Sequence, residues 1–599
     1  MPTEPTLLGK IGDVNGSNIS VELEPSIPSG LVFVDGAGYR IGQLGSFVRI
    51  PIGLTDLYGI INQIGASAIP EKLVKSGQDS RKWMTVQLIG EKTRGCDFER
   101  GLSQYPTTGD PVHLVTLEDL VKLYGKSDSS AYLNIGSVAS GQSIPALVNI
   151  DKIVTRHAAI VGSTGSGKSN TVACLLNRIL KADYNSSSVV VIDPHGEYRA
   201  TFEGVAKVFS INDPINKLIL PFWALSYDEL AWFLFDRKTS AESQQDITIR
   251  DRIYEEKAKS VNYLKSGPIK ETDITADSPI PFDLKKLWYE FYTTENATLT
   301  VKDDWDKIAF KKDNSGNEIK GDACAIIPPE FEPPGTGSSP PFKSTKGKGL
   351  QSYLSKLFGR LRDLRYSFLL NPDEYDGTKK DLGDLLDTWL NHNSCITIFD
   401  LGGVPSEILD LVVGVLARIL FQNQLWGRNL KGIGRQRPIL MFLEEAHLYL
   451  PRGGSEKFIS GYASATLRKV FKEGRKYGIG AVVISQRPSD LDETILSQCG
   501  TIFALRLTNS DDQGRVRAML PDSWSGITEL IPALRTGEAI IVGEGVKIPS
   551  RIRLPLIEPR PSSNDPIPSK EWSSKLVPPP NYNLAVTGWR TQTTKNDKE

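Results

Sequence analysis

The most constraining feature of this sequence is the octapeptide GSTGSGKS at residues 162–169, together with the segments on either side of it. The run RHAAIVG at 156–162 predicts a buried strand that ends in glycine, and SNTVACLLNRILKA at 169–182 spaces its apolar residues as a helix does. A strand, a loop of the pattern G-x-x-x-x-G-K-[ST] and a helix, in this order, predict a phosphate-binding P-loop. The alternative is a glycine-rich turn that matches by chance, and the flanking elements argue against it.

Phosphate chemistry gives each part of this loop a role. The glycines let backbone N–H groups turn toward a phosphate, and the helix adds its positive end. We expect Lys168 to reach the β- and γ-phosphates of ATP, as a catalytic residue, and Ser169 to bind Mg²⁺. The predicted nucleotide-binding residues are Gly162, Ser163, Thr164, Gly165, Ser166, Gly167, Lys168, Ser169 and Asn170.

A second predicted buried strand, PILMFLEEAH at 438–447, ends in two carboxylates. An acid at such a strand tip can hold the Mg²⁺ shell, and the next acid can polarise the attacking water. We therefore assign Glu444 to the metal and Glu445 to the water, as a catalytic residue. The other interpretation, two solvated acids at the start of a loop, loses weight beside a P-loop.

Two further strand ends carry polar side chains. VVVIDPHGEY places Asp193 at the end of a strand that we expect to neighbour the P-loop strand. This acid is a third candidate for the metal or water network; positioning of loops that face DNA and capping of a turn are its alternatives. AVVISQRPSDL ends a strand with Ser485 and Gln486, and a polar side chain there can sense the γ-phosphate or be structural only.

Composition narrows the class of protein without naming a partner. The formal net charge is −1, so any contact with nucleic acid must come from a local basic surface. The helix TLRKVFKEGRKYGIG at 466–480 is basic, although charge runs on helices are usually only solvated faces. Five scattered cysteines without a C-x-x-C pair, and five histidines without ligand spacing, predict a reducing compartment and no zinc site. No apolar run has membrane-spanning length and the N-terminus lacks a signal-peptide pattern, which predicts a cytoplasmic protein without membrane contact.

The pattern along the chain predicts an α/β protein of several parts. Short apolar runs split by Gly, Pro, Asn and Asp predict a small N-terminal barrel, and alternating strands and helices predict a parallel sheet. The predicted parts are a β-barrel (1–150), the first part of the ATPase core (151–224), a mainly helical insertion (225–390) with a Pro/Gly-rich loop (312–348), the second part of the core (391–555) and an extended tail (556–599).

In their order these motifs resemble the HerA-type hexameric DNA translocases of the FtsK–HerA group of RecA-like motors. RHAAIVGSTGSGKSNT, VVVIDPHGEY, a strand ending in EEAH, EGRKYGIG and VVISQRPSDLDETILSQC follow the family's order, and FERGLSQYPTTGDPVHLVT resembles its N-terminal barrel. The resemblance covers most of the chain. It implies a RecA-like P-loop NTPase core, a homohexameric ring with ATP sites between neighbours, and duplex DNA in the central channel.

The resemblance also implies roles for two arginines. Arg156 matches a family arginine near the nucleotide, and Arg475 matches an arginine that reaches the neighbour's site in trans, so both are candidate catalytic residues. The family often has Asp then Glu where this chain has Glu444 and Glu445; the longer first side chain is expected to hold the metal through water, with hydrolysis retained but slow. The family's Pro-rich C-terminal extension usually lies across the adjacent subunit, which fits residues 556–599.

HerA-type proteins pair with a second protein. In archaeal repair it is a NurA-type nuclease, and in bacterial phage-defence operons it is an effector such as a sirtuin-like NAD-consuming enzyme or another nuclease. We therefore expect an ATP-dependent duplex DNA translocase or helicase that acts with such a partner in phage defence or DNA end processing. The alternative is a nucleotide-regulated ring scaffold that assembles and activates an effector with little translocation. A conjugation- or secretion-linked ATPase is a third reading, disfavoured because no membrane segment is visible in the sequence.

Overall fold

The computed structural model describes residues 6–562, apart from 26–30, 35–36, 41–42, 66–68, 71–81, 125–129, 140, 338, 454–460 and 521–524, and also 568–573 and 581–591. The chain forms two compact units. The first comprises Met1–Ala206, Ile419–Ser455 and Ser464–Asn564, and the second comprises Lys207–Arg418, Glu456–Ala463 and Asp565–Glu599.

The first unit begins with a closed β-barrel. Residues alternate between outward and buried positions along Asn18–Leu23, as a strand with one face on a core requires. This strand pairs with both Leu7–Asn15 and Trp83–Thr93, which closes the sheet on itself. Around the barrel the described strands are Asn18–Leu23, Leu7–Asn15, Pro111–Leu114, Phe47–Ile52, Thr55–Ile64 and Trp83–Thr93, with Glu99–Arg100 added beside the last and a separate hairpin of Leu31–Val34 and Ala37–Arg40. The predicted N-terminal barrel is confirmed.

The core sheet of the first unit has a parallel half and an antiparallel half. The parallel strands, in spatial order, are Thr501–Ala504, Ala158–Val161, Ile479–Ser485, Ile439–Leu443 and Ser188–Asp193. Beside Thr501–Ala504 the antiparallel strands continue in the order Glu538–Gly543, Ser550–Arg553, Tyr132–Val138 and Gly141–Asn149. The last two of these strands fall within the segment 1–150 but pair with the core sheet, so the barrel strands end at Leu114.

The strand order corrects one expectation. Ala158–Val161, the P-loop strand, lies between Ile479–Ser485 and Thr501–Ala504. Ser188–Asp193 pairs instead with Ile439–Leu443, so the prediction that it neighbours the P-loop strand is wrong. Two strands that come later in the sequence are inserted between them, and local patterning carries no information about such long-range insertion.

The P-loop helix of the first unit contacts the P-loop strand and the strand Tyr132–Val138. In the P-loop helix, Lys168–Leu180, the stripe of Val172, Leu175, Leu176 and Ile179 is buried as its spacing predicts. The helices described in this unit are Leu117–Tyr124, Ile150–Arg156, Lys168–Leu180, Tyr462–Tyr477 (whose first two residues belong to the second unit), Glu493–Ser497, Ser510–Ala518 and Ser525–Thr528.

The second unit is mainly helical. Its described helices are Tyr227–Phe235, Gln244–Ser260, Leu284–Asn296, Gln351–Arg362, Ser367–Leu370, Leu382–Leu390, Pro568–Ser573 and Tyr582–Thr591. A parallel pair of strands, Lys207–Ser210 and Ile396–Asp400, and a short ladder of Thr298–Leu299 with Phe342–Lys343 complete it. Glu229 caps the first of these helices and accepts two hydrogen bonds from Arg418, which joins the beginning and the end of the segment 207–418.

The predicted loop and tail are seen in part. Over 312–348 the described residues form turns and isolated bridges, such as Phe310 with Phe331 and Asp322 with Ile327, more than regular elements. Of the predicted tail, residues 563–567, 574–580 and 592–599 lie outside the described residues.

Among the described residues, one helix is long and apolar enough to be compared with a membrane span. Leu409–Trp426, with its flanking turns over Ser406–Asn429, has a mean hydropathy of 1.5 over its most apolar window, and 72% of that window is buried inside the protein. Burial of this kind is what a core helix of a folded domain shows.

Candidate nucleotide site

The P-loop lies between the fully buried strand Ala158–Val161 and the helix Lys168–Leu180 that it starts. Gly167 has a φ of 106°, in the left-handed region that glycine adopts without strain. A Cβ on Gly162 would lie 2.6 Å from Ser166 Oγ, so the loop needs glycine there as well. The chain can therefore curve around an anion and present it to the N-terminus of the helix.

Two serines of the predicted set shape the loop from within. The N–H group and the hydroxyl of Ser163 both donate to the carbonyl of Arg506, at 2.9 Å each. The N–H group and the hydroxyl of Ser166 both donate to the carbonyl of Ser163, at 3.1 and 2.6 Å. The carbonyl of Ser166 in turn accepts the N–H group of Gly537 at 3.1 Å. These polar groups are engaged within the protein and hold the loop on the core sheet.

The strand Ile439–Leu443 is buried along its whole length and delivers Glu444 and Glu445 to the same edge of the sheet. Glu444 is 1% exposed and Glu445 is 7% exposed. Glu445 has a φ of 44°, a left-handed conformation that is uncommon for a residue with a side chain. The turn redirects the chain directly after the strand, so that the two neighbouring side chains meet different surroundings.

Those surroundings move the two carboxyl pKa values in opposite directions. Burial, followed by the charges of Glu197, Glu445 and Asp193, raises the pKa of Glu444 well above its ordinary value. Burial also raises the pKa of Glu445, but the close contact with His447, together with the charges of Lys168 and His447, outweighs it and leaves that pKa below its ordinary value. His447 Nδ1 lies 3.1 Å from Glu445 Oε2. Glu445 is therefore ionised at neutral pH, as a group that polarises water must be.

Asp193 caps a turn, which is one of the alternatives that the sequence left open for it. Its carboxylate accepts the N–H groups of His195, Gly196 and Tyr198 at 3.3, 2.9 and 3.1 Å. These bonds fix the loop that follows the strand. Asp193 is fully buried, and its charge acts on Glu444.

Glu197, on the same loop, was not among the predicted site residues. Its Oε2 accepts the hydroxyl of Ser169 at 2.7 Å, which places a carboxylate beside the P-loop residue predicted to bind Mg²⁺. The signal in the sequence was present but unread: Glu197 follows the strand-ending Asp193 by four residues, within a loop that must lie at the same sheet edge as the P-loop.

Gln486 lies against the P-loop. It follows Ile479–Ser485, the strand paired with the P-loop strand, and its Oε1 accepts the hydroxyl of Thr164 at 2.7 Å. Ser485 is fully buried and its carbonyl accepts the N–H group of Gly162 at 3.3 Å. The side chain of Gln486 is therefore the polar group of this strand end that touches the phosphate loop.

Arg156 and Arg475 lie at the opposite edge of the sheet. Arg156 ends the helix before the P-loop strand, and Arg475 lies in the last turn of the helix before the strand Ile479–Ser485. Each strand residue advances the chain by about 3.3 Å, so a strand length of more than about 13 Å separates both arginines from the P-loop of their own chain. Arg156 Nε lies 3.4 Å from Glu544 Oε2. A role for either arginine at a nucleotide therefore requires the site of another subunit.

The side chain of Asn170 contacts a different part of the chain. Its Nδ2 donates to the carbonyl of Pro555 at 2.9 Å, and its Oδ1 accepts the N–H group of Ile557 at 2.9 Å. The N–H group of Ser562 donates to the carbonyl of Glu197 at 2.8 Å. The segment 555–562 is thus tied to the P-loop helix and to the Glu197 loop of its own chain.

The side chains near Ser169 fit a magnesium ion that is shared with a nucleotide. Among the described residues, no group of three or more His, Cys, Asp and Glu side chains is arranged to hold a metal alone. A P-loop site has no need of one, because Mg²⁺ there is bound through one or two protein oxygens together with phosphates and water. The hydroxyl of Ser169 and the carboxyl groups of Glu197 and Glu444 are the hard oxygen donors that this ion prefers.

Fold and site together define a P-loop ATPase with a RecA-like sheet. The family described as "Helicase HerA, central domain" matches residues 133–420, and "Helicase HerA-like C-terminal" matches residues 431–578. The chain belongs to the HerA family of helicases, and the resemblance drawn from the motifs is confirmed at the level of the family.

The chain is also similar to curated relatives and to solved structures. The chain is 26% identical over 485 residues to the DNA double-strand break repair helicase HerA of Sulfurisphaera tokodaii, covering 80% of each chain. It is 23% identical to the protein of the same description from Pyrococcus furiosus, covering 80% of this chain and 78% of the relative. Among solved structures, VirB4 of Thermoanaerobacter pseudethanolicus aligns with a TM-score of 0.45 at 15% identity, over 72% of this chain and 98% of that one. The conjugative coupling protein TrwB aligns with a TM-score of 0.40 at 14% identity, over 76% and 94%.

Proposed function

We propose that this ATPase is a cytoplasmic motor that moves duplex DNA through a ring of six copies of the chain. One observation carries the proposal: Lys168, Glu445 and Gln486 lie at one edge of the core sheet, while Arg156 and Arg475 lie at the other. A site divided in this way is completed when the arginine edge of one subunit meets the P-loop edge of the next. A closed ring of such heterologous contacts leaves no unmatched edge. The printed descriptions of the curated relatives, DNA double-strand break repair helicases, support DNA as the substrate.

Each side chain at the P-loop edge has a defined task in this proposal. Lys168 binds the terminal phosphates, and Ser169, with Glu197 and Glu444, holds the metal side of the site. Glu445 holds a water and accepts its proton, and Gln486 senses whether the γ-phosphate is present through its contact with Thr164. Bound Mg²⁺–ATP supplies the phosphoryl group that is transferred to water.

The arginines supply charge from the neighbouring subunit. Charge that develops on the transferred phosphoryl group is stabilised only when the neighbours close on each other. An arginine supplied in trans is worth on the order of 10³-fold or more in rate in related phosphoryl transfers. Hydrolysis is thereby coupled to the ring, because an isolated subunit lacks a positive charge at the place where the reaction needs it.

The proposal includes a second protein. A translocase moves duplex DNA but does not itself cut or modify it. The family resemblance supports a nuclease or a sirtuin-like NAD-consuming effector as the class of partner. Phage defence and DNA end processing are the two processes in which such a pair works. The N-terminal barrel has exposed apolar side chains, Leu54 and Tyr105 among them, to which a partner can bind.

A second candidate function is a ring scaffold that uses nucleotide to organise an effector and translocates little. The observation that favours it is Glu444. Its buried carboxyl group has a raised pKa. It therefore loses its proton, as it must to bind a metal, less readily than a half-solvated carboxyl group would. Hydrolysis slow enough to limit translocation is the consequence that this candidate predicts.

Displacement of a third strand from a DNA triplex separates the two candidates. A translocase that moves along duplex DNA removes the third strand only while ATP is hydrolysed. The wild-type protein and Lys181→Ala, which changes an exposed lysine at the other end of the P-loop helix, should both displace the strand, and Lys168→Ala should not. ATP-dependent assembly with a partner but no displacement by the wild-type protein would favour the scaffold.

A further inference from the structure

His157, between Arg156 and the P-loop strand, has the most unusual backbone conformation among the candidate site's neighbours. Its φ is 56° and its ψ is 164°. This region is adopted almost only by glycine, and a residue with a side chain is strained there. The ring is 3% exposed. Such a conformation persists only where surrounding contacts determine it, so the contacts of the ring must fix its place.

The ring contacts two elements through its two nitrogens. Nδ1 lies 3.1 Å from the backbone nitrogen of Ala481, whose N–H group can only donate, so Nδ1 is the acceptor and Nε2 carries the proton. The Nε2 side of the ring faces the backbone carbonyl of Phe471, which acts to raise the pKa of the ring. The centroid of the ring lies 4.7 Å from that of the Phe471 ring. Burial lowers the pKa of His157 to about 4, against the smaller raising effect of the Phe471 carbonyl, so the ring is neutral at neutral pH and accepts the N–H group of Ala481.

The carbonyl of Phe471 has a particular place in its helix. In an α-helix the N–H group of residue i donates to the carbonyl of residue i−4, and Phe471 is four residues before Arg475 within Tyr462–Tyr477. The carbonyl that the His157 ring faces is therefore the helical acceptor of the Arg475 N–H group. Arg475 is also close enough for its positive charge to act on the ring, where it lowers the pKa further.

The backbone around His157 leaves little freedom on either side. A Cβ on Gly480 would lie 2.1 Å from the carbonyl oxygen of Val154, so the helix Ile150–Arg156 packs directly on the neighbouring strand. The carbonyl of Arg156 accepts the N–H group of Gly500 at 2.7 Å. The helix that ends in Arg156, the strand that starts the P-loop and the helix of Arg475 thus meet at one buried ring.

We propose that His157 is a positioning residue that fixes Arg475, and with it Arg156, relative to the P-loop strand of the same chain. This inference rests on the proposed function, because it concerns the arginines that serve the neighbouring subunit's site. The P-loop is at one end of Ala158–Val161, and His157 is at the other. We call the contacts of the His157 ring with Ala481 and Phe471 the latch, and the strand links the position of the latch to that of the P-loop. A displacement of about 1 Å at a reacting centre can cost on the order of 10²-fold in rate, so loss of the latch should slow hydrolysis without changing nucleotide binding.

Three substitutions divide the functions of the ring. The terminal amide of His157→Gln reaches the place of Nε2 and can donate to Phe471, and the amide oxygen of His157→Asn reaches the place of Nδ1 and can accept from Ala481. His157→Gly removes both contacts and also the backbone strain. His113→Gln, which changes another buried histidine in the barrel, where it lies 3.1 Å from Thr6 Oγ1, is the matched control for loss of a buried ring.

Steady-state ATPase rates and binding of a fluorescent ATP analogue test the inference on the full-length assembly. We expect His157→Gly and His157→Asn to lose roughly 10- to 100-fold in kcat, His157→Gln to recover most of it, and all three to bind the analogue as the wild type does. His113→Gln should keep wild-type kcat. A wild-type kcat in His157→Gly, a rescue by Asn instead of Gln, or a loss of analogue binding that accounts for the lower rate would each overturn the inference.

Arg475→Ala, measured in parallel, separates failure of this inference from failure of the proposed function. If Arg475→Ala itself hydrolyses ATP at the wild-type rate, the arginine proposal is wrong and the latch has nothing to position. If Arg475→Ala is inactive while the Gly and Asn variants of His157 are fully active, the arginine proposal stands and the latch is wrong. In the double variant His157→Gly/Arg475→Ala, we expect no loss of kcat beyond that of Arg475→Ala alone, since both changes remove the same contribution.

Discussion

The hydroxyl of Ser169 donates to the carboxylate of Glu197 at 2.7 Å, across the gap between the P-loop helix and the loop that follows Ser188–Asp193. Asp193 holds this loop in place by accepting backbone N–H groups. The loop thereby brings Glu197, four residues after Asp193, to the hydroxyl of Ser169. The relationship assigns two roles to two acids: one shapes the loop and the other faces the metal side of the nucleotide site.

Glu197→Gln should weaken the binding of Mg²⁺ at the nucleotide site. The amide cannot carry the negative charge, so we expect hydrolysis to fall roughly 10- to 100-fold and the Mg²⁺ concentration for half-maximal rate to rise, as for other residues that orient a metal's ligands. The measurement is the ATPase rate against Mg²⁺ concentration. Glu203→Gln, an exposed acid six residues further on, is the control and should leave both quantities unchanged. An unchanged Mg²⁺ dependence in Glu197→Gln would remove this residue from the site.

Glu444→Gln should stabilise the folded protein in the absence of metal and nucleotide. The pKa of Glu444 is raised in the folded state, so its contribution to stability is present at low pH and is lost as the pH rises above the value of the unfolded chain. A neutral isostere avoids that loss. We expect Tm to increase by a few degrees at pH 8 in the presence of a chelator, with the difference between variant and wild type shrinking toward pH 5. Equal Tm values of variant and wild type at pH 8 would mean that folding does not raise the pKa of Glu444.

Asn170→Ala should release the segment 555–562 from the P-loop helix. The side chain bonds the carbonyl of Pro555 and the N–H group of Ile557, and each such bond contributes about 1 kcal/mol. Hydrogen exchange followed by mass spectrometry should show faster exchange of the Ile557 amide, while the amides of the P-loop helix exchange as before. Asn177→Ala, on the same helix, is the matched control. Unchanged protection of Ile557 would show that the segment is held by other contacts.

Arg475→Ala should keep nucleotide binding and lose most hydrolysis, because the guanidinium lies at the edge of the sheet away from its own P-loop. Added to wild-type protein before assembly, it should lower the activity of mixed rings by more than its share, since each variant subunit disables the site of a wild-type neighbour. Lys472→Ala, one turn earlier on the helix, is the control for loss of a surface charge. Mixed rings that contain it should hydrolyse ATP at the wild-type rate. A decline strictly proportional to the fraction of Arg475→Ala would show that the arginine does not act in trans.

Local sequence information predicted the parts of the site that follow directly from a strand and its next turn. The P-loop, the two acids after Ile439–Leu443 and the placement of Gln486 beside the loop all depend on the rule that parallel strands end at one edge. The family is confirmed by the matched domains, whereas the individual residue roles stay predictions.

The rest depended on contacts between distant segments. Nothing near Ser188–Asp193 indicates that strands beginning 246 and 286 residues later in the chain separate it from the P-loop strand. Asn170 is a P-loop neighbour by sequence, and only the fold brings Pro555 and Ile557 to its side chain. In the sequence, nothing distinguishes His157 from other residues at the start of a strand. Its backbone conformation and its contact with the helix of Arg475 exist only in the folded unit.

The most direct test of a DNA motor is the rate of ATP hydrolysis by the purified protein with and without linear duplex DNA. We expect strong stimulation by DNA that is absent in Glu445→Gln and retained in Glu473→Gln, an exposed acid on the Arg475 helix. That result would show that the nucleotide site hydrolyses ATP in response to duplex DNA, as a DNA motor must. Weak hydrolysis by the wild-type protein that DNA leaves unchanged would contradict the motor and support the scaffold.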